Sequence, residues 1–121
     1  MKVLLIDDSR TMRHIQKSVL AQLGHTDIEE ACDGADALTK AEGFAPDLLL
    51  VDWNMPNMDG LTFVKHFRAK GMNQPIIMVT TESEKSRVLE AIKAGANDYV
   101  VKPFTPDVLS QRIEETAPKA A

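Results

Sequence analysis

A single cysteine, Cys32, stands in the whole chain, so no internal disulfide framework can form. It reads as a small, half-buried residue of a reducing cytosol. Long apolar runs are missing too. No stretch approaches the roughly 20 residues that a membrane-crossing helix needs. The N-terminal "MKVLLIDDSR" has too short an apolar run for a secretion signal, and two acids close it. Positive charge is in deficit. Fourteen Lys and Arg face 18 Asp and Glu, and the net charge of -4 gives no electrostatic case for nucleic acid or an anionic membrane. Neither GxGxxG nor GxxxxGKS/T occurs, so a stably bound nucleotide is not expected. Repeats and low-complexity linkers are absent as well, and only "APKAA", 117–121, reads as a loose tail.

What is present suits one cytoplasmic domain. The 121 residues are 44% hydrophobic and 26% charged. Short apolar runs alternate with helical periodicity. "KVLLID", 2–7, reads as a buried strand. Ser9 then caps a helix carrying Met12, Ile15, Val19 and Leu23, and Gly24 ends it. "DIEEAC", 27–32, is a weaker strand. "ADALTKAE", 35–42, follows as a short helix with Gly43 as its terminator. "DLLLVDW", 47–53, is apolar almost throughout, as a strand covered on both faces should be. Leu61, Val64 and Phe67 mark a third helix, closed by Gly71. "PIIMVT", 75–80, is a further buried strand. Val88, Leu89 and Ile92 place a fourth helix, ending before Gly95. "DYVV", 98–101, is a fifth strand. Thr105, with Pro106 in the first turn, opens a fifth helix holding Val108, Leu109 and Ile113.

Five such units in succession predict an α/β fold, a parallel sheet with helices on both faces. Open sheets of this kind bind ligands outside the carboxyl ends of their strands. Polar residues occupy four of those ends: Asp7 and Asp8, then Asp52, then Thr80 and Thr81, then Lys102 before Pro103. Three carboxylates are expected to converge beside one ammonium. Like charges so close raise one another's pKa, and one lysine cannot neutralise three acids. A divalent cation can. Few, hard oxygen ligands in a site open to water suit Mg²⁺, which keeps several waters and takes one or two carboxylates plus phosphate. His14, His25 and His66 fall away from the strand ends and read as solvated. Mg²⁺, Lys102 and the Thr80 hydroxyl together suit a phosphoryl group. With no phosphate loop, that group is expected on the protein itself, as an aspartyl phosphate.

"LIDDS", "LLLVDWNMPNMDGL", "VTTESE" and "AGANDYVVKPF" together resemble the receiver domains of bacterial response regulators. The likeness runs from Lys2 to about Glu115. It is most similar to the single-domain chemotaxis regulators of the CheY type, at Trp53, Asn54, Tyr99 and Lys102. The resemblance implies a flavodoxin-like sheet of order 2-1-3-4-5, a receiver over 1–116 and a short tail over 117–121. Asp52 would be the phosphoacceptor. Asp8 and Asp52 would hold Mg²⁺ through their side chains, Asp7 mainly through water, and Asn54 through its backbone carbonyl. Thr80 and Lys102 would contact the phosphoryl group, and Tyr99 would be the second switch residue. The Lys102–Pro103 bond would be cis. A sensor histidine kinase would supply the phosphoryl group, and a monomeric protein would pass the signal to a target such as a flagellar motor switch.

Further assignments follow from the residues and from the same resemblance. Lys85, Arg87 and Lys93 on the fourth helix are a solvated face unless a partner docks. Lys85, Val88, Tyr99, Val101 and Arg112 are the expected output face. Glu82 either touches the phosphoryl pocket or merely starts a helix. Trp53 reads as a partly exposed wall of the acidic site. Thr81 departs from the smaller Ala or Gly of many receivers, which bears on how fast a phosphoryl group is lost. The competing readings are a haloacid-dehalogenase-like phosphatase, a phosphate sink, and a receiver excised from a transcriptional regulator. The first normally has a D-x-D pair and a cap insertion. "DDSRT" lacks that spacing, and 121 residues leave little room for a cap.

Overall fold

The computed structural model describes residues 1–118. Strands and helices alternate: β1 (Lys2–Ile6), α1 (Arg10–Gln22), β2 (Asp27–Ala31), α2 (Gly34–Phe44), β3 (Leu48–Val51), α3 (Gly60–Ala69), β4 (Ile76–Thr80), α4 (Lys85–Ala94), β5 (Asp98–Val101) and α5 (Pro106–Thr116). The strands form one sheet of order β2-β1-β3-β4-β5, with every pair parallel. The five-unit α/β architecture and its strand order are as expected.

Burial explains the near-continuous apolar runs. β1 splits its side chains between two cores: Leu4 and Ile6 on one face, Val3 and Leu5 on the other. The first core joins Leu49, Val51, Ile76 and Met78 to Phe63, Val64 and Phe67 of α3 and to Ala37 and Ala41 of α2. The second joins Leu48, Leu50, Ile77 and Val79 to Val19 and Leu20 of α1 and to Leu109 and Ile113 of α5. Each fully buried Leu or Ile contributes on the order of 2 kcal/mol through removal from water. The edge strand β2 is only partly covered, which is why its sequence signal is weak.

Helix ends follow local chemistry. Ser9 Oγ accepts from the Met12 N–H, and Thr105 Oγ1 from the Val108 N–H. Asp33 and Asp59 cap α2 and α3 in the same way. Gly24, Gly71 and Gly95 take positive φ just beyond α1, α3 and α4.

Several details differ from the sequence reading. Gly43 lies inside α2 rather than ending it. Phe44 packs on the core and carries the helix on, so that Ala45, at φ 51°, makes the turn. In α1 the buried face is Gln16, Val19 and Leu20, while Ile15 is exposed. In α4 only Ala91 is buried, and Leu89 and Ile92 are 52% and 43% exposed. A helix over one edge of a sheet buries one narrow stripe, and these two lie beyond it. Cys32 is exposed rather than half-buried, its thiol turned to the Asp36 carboxylate at 3.9 Å. Of the tail, Ala117 caps α5 and packs on the core, Pro118 is exposed, and 119–121 lie outside the described residues.

Candidate functional site

Register places the polar strand ends together. Ile6 pairs with Val51, so Asp7 and Asp52 leave β1 and β3 at the same height. Val51 pairs with Met78, so Thr80 closes β4 close beyond that level. Thr80 pairs with Val101, and Lys102 follows, its N–H donating to the Thr80 carbonyl at 2.8 Å. The Lys102–Pro103 peptide is cis.

The side chains converge. Single carboxylate oxygens of Asp7, Asp8 and Asp52 all lie within 4.8 Å of one another. Asp7 is fully buried and Asp52 nearly so, while Asp8 is exposed. Lys102 Nζ lies 2.7 Å from Asp7 Oδ2 and 3.4 Å from Asp52 Oδ2. The other oxygens are held by backbone. Ser9 N–H donates to Asp7 Oδ1 and Trp53 N–H to Asp52 Oδ1, each at 2.8 Å. These contacts fix both carboxylates in direction before any ligand arrives.

The electrostatics favour a cation. Burial pushes the Asp52 carboxyl above its ordinary pKa. Lys102 opposes this, the Asp7 charge reinforces it, and the Thr80 hydroxyl and Trp53 N–H act against it. A divalent cation removes both causes, by replacing lost hydration and by neutralising the like charge. The donor set fits Mg²⁺: three carboxylates with no His or Cys among them, one exposed member leaving room for water.

Behind the carboxylates lies a second set of contacts. Thr80 is fully buried, and its hydroxyl accepts from the Glu82 N–H at 3.3 Å. Tyr99, half-buried, donates its hydroxyl to the Glu82 carbonyl at 2.6 Å. Burial, then the Glu82 charge, pushes the Tyr99 phenol up to about 12. Glu82 therefore acts through its backbone, joining Thr80 to Tyr99. A residue type reveals nothing about such a backbone role, so sequence alone left it open.

Trp53 differs from its expected place. It is 4% exposed, packed into the core on the α2/α3 side of the sheet, with the Arg87 guanidinium 5.3 Å from its ring centroid. Arg87 is thus more than solvated surface. Asn54, Lys85 and Arg112 are exposed, Val88 is half-buried and Val101 is 40% exposed. Arg112 also lies 3.4 Å from the Asp98 carboxylate. Thr81 is exposed, and His14 and His66 are exposed and His25 half-exposed.

Residues 3–114 match the response regulator receiver domain. The chain belongs to that family. A chemotaxis protein CheY homolog of Campylobacter jejuni subsp. jejuni (strain 81-176) is 52% identical over 120 residues, spanning 95% of this chain and 91% of the relative. Chemotaxis protein CheY1 of Helicobacter pylori (strain J99) is 50% identical over 117 residues, spanning 94% of each. Among solved structures, Vibrio cholerae chemotaxis protein CheY4 superposes with a TM-score of 0.88 at 37% identity, covering 95% of this chain and 97% of that one. CheY in the Borrelia burgdorferi CheX–CheY–BeF3–Mg complex gives 0.91 at 26% identity, covering 95% and 87%. This receiver is therefore of the CheY type in sequence and in fold.

No helix among the described residues is long and apolar enough to cross a membrane.

Proposed function

We propose that this receiver is a single-domain chemotaxis or motility response regulator, with 1–116 as the receiver and 117–121 as a short tail. Asp52 accepts a phosphoryl group from the phosphohistidine of a sensor histidine kinase. A carboxylate oxygen attacks phosphorus, the O–P bond forms as the N–P bond breaks, and the imidazole leaves with the electron pair and takes up a proton. Asp8 and Asp52 would hold Mg²⁺ through their side chains, with Asp7 acting mainly through water and Asn54 through its carbonyl. The cation supplies charge neutralisation when bound. Lys102 pairs with the incoming phosphoryl oxygens, and Thr80 donates its hydroxyl to them. Turnover is confined to the protein's own phosphoryl group, gained and then lost to water.

One observation carries this reading: three carboxylates have oxygens within 4.8 Å of one another at the carboxyl edge of the sheet, and two of them, Asp7 and Asp52, share the Lys102 ammonium. The chemotaxis names of relatives about half identical over nearly their whole length support it, as does the solved Borrelia relative carrying BeF3 and Mg. The output is a protein surface of α4, β5 and α5. Lys85, Val88, Leu89 and Ile92 share one flank of α4, and Val101 and Val108 add apolar area that is 40% and 42% exposed. A target such as a flagellar motor switch docks there, on a cytoplasmic monomer. No observation favours the phosphatase, phosphate-sink or excised-regulator alternatives.

The test is labelling by acetyl phosphate. One phosphoryl group should appear by intact mass, with Mg²⁺ and not with EDTA. Asp52→Asn protein labelled as strongly as the wild type overturns the assignment.

A further inference from the structure

The loop joining β3 to α3, residues 52–59, carries Asn54, and it is gripped from outside the acidic cluster. Asn57 sits at φ 66°, where asparagine is among the few side-chain-bearing residues tolerated. Its Nδ2 donates to Asp33 Oδ2 at 2.8 Å. The other oxygen of that carboxylate, Oδ1, caps α2 by accepting from the Asp36 N–H at 2.8 Å. One side chain thus holds helix and loop together. The Asp36 N–H and then the Asn57 amide keep the Asp33 carboxyl below its ordinary range, so it meets the amide as an anion.

Backbone contacts reinforce the grip. The Gly34 N–H donates to the Met58 carbonyl at 3.0 Å. Only glycine permits that approach, because a Cβ at 34 would stand 2.7 Å from Met58 Cγ and 2.8 Å from the Met58 carbonyl oxygen. At the loop's base, the Gly60 N–H donates to the Trp53 carbonyl at 2.8 Å. Between the tie at Trp53 and the tie at Asn57 lie only Asn54, Met55 and Pro56. A loop so short and so anchored has little freedom left to lose when a ligand arrives.

We propose that Asp33 and Asn57 form a clip that positions the β3–α3 loop and so presents the Asn54 carbonyl to a divalent cation. Both are positioning residues, acting through the loop backbone. The inference rests on the reading of the acidic cluster as a Mg²⁺ site.

The test is a MgCl₂ titration followed by Trp53 fluorescence and repeated by calorimetry, with thermal melting measured separately. Asn57→Gly keeps the positive φ free of strain and removes the amide. It should weaken Mg²⁺ binding by about tenfold, the low end of what losing a ligand-orienting partner costs. Asn57→Asp sets two carboxylates face to face and should weaken binding as well. The exchange Asp33→Asn with Asn57→Asp restores an amide–carboxylate pair and keeps a good helix cap. It should return the Mg²⁺ midpoint to near the wild-type value. Acetyl phosphate labelling should show the same split, with a shifted Mg²⁺ half-saturation and an unchanged rate at saturating Mg²⁺. Variants that melt lower but titrate with the wild-type midpoint overturn the clip. A wild-type protein that does not titrate at all overturns the metal reading beneath it.

Discussion

The Tyr99 hydroxyl donates to the Glu82 backbone carbonyl at 2.6 Å, and the Glu82 N–H donates in turn to the Thr80 hydroxyl at 3.3 Å. The tyrosine on β5 and the threonine on β4 are therefore joined through one residue of the β4–α4 loop. A threonine hydroxyl drawn elsewhere releases the Glu82 N–H and alters the carbonyl that holds the ring.

The phenol at about 12 gives this contact a pH signature. The folded protein holds the proton more tightly than the unfolded chain, whose tyrosine titrates at the ordinary 10.0. The contribution is complete below the unfolded value and is lost as pH rises from 10 through about 12. Tyr99 is the only tyrosine, so its ultraviolet titration is unambiguous. Tyr99→Phe should lower stability near neutrality by about 1 kcal/mol, the net worth of one hydrogen bond. The gap from wild type should close across that alkaline window in urea melts. A gap that stays constant through pH 12 would show that the hydroxyl is not held as described.

Asp52 has the same sign at the acid end of the scale. Its carboxyl is raised mainly by burial, so the fold favours its protonated form. As pH rises through the raised value, the folded state holds its proton longer than the unfolded chain, and stability falls. Asp52→Asn should therefore be more stable than wild type in metal-free buffer at pH 7. The gain is on the order of 1 kcal/mol, the low end of what burying an incompletely compensated polar group costs. Added Mg²⁺ should stabilise the wild type and narrow the difference. Differential scanning calorimetry with EDTA and with MgCl₂ reads both effects. A metal-free variant that melts lower would overturn this account of a carboxylate strained by burial and by the Asp7 charge.

Among the described residues, Lys102 is the only cation paired with the Asp7 carboxylate, which is fully buried. Lys102→Ala leaves that carboxylate without its ammonium, at a cost of about 3–5 kcal/mol for a broken buried pair. Because a divalent cation at the cluster substitutes for the lost charge, millimolar Mg²⁺ should recover part of that loss. Urea melts with and without MgCl₂ measure both. A variant destabilised equally in the two buffers would separate Lys102 from the metal-binding carboxylates.

Much of the site was legible because parallel strands end together. Four polar strand ends on four apolar runs needed only the sheet topology to become one cluster. The helix terminators at Gly24, Gly71 and Gly95 were legible for a similar reason, since positive φ there favours glycine. What failed was anything set by which flank of a helix meets the sheet. Leu89 and Ile92 follow the spacing of a buried stripe yet face outward, and Ile15 yields its place to Gln16. Trp53 was misplaced because it packs into the core on the α2/α3 side of the sheet, with Arg87 of α4, distant in sequence, near its ring. The Asp33–Asn57 contact spans 24 residues and depends on a left-handed backbone at Asn57, which no periodicity reveals.

Those outward-facing apolar residues carry the last prediction. Leu89, Ile92, Val101 and Val108 are exposed beside half-buried Val88 and Tyr99. Exposed apolar area on three adjoining elements suits a docking partner better than water. If phosphorylation biases a two-state equilibrium through Thr80, Glu82 and Tyr99, target affinity should rise about 5- to 150-fold, the usual range of such coupling. Thr80→Ala should still accept a phosphoryl group at Asp52 but lose most of that rise. Leu89→Asp should weaken target binding in both states, at little cost in stability because the side chain is already 52% exposed. Val88→Asp should do the same at a greater cost. Binding of a flagellar motor-switch protein, measured by calorimetry with and without BeF3, reads all three. Full affinity gain in Thr80→Ala would break the threonine–tyrosine link while leaving the acidic site intact. Unchanged binding in Leu89→Asp would move the docking surface off α4.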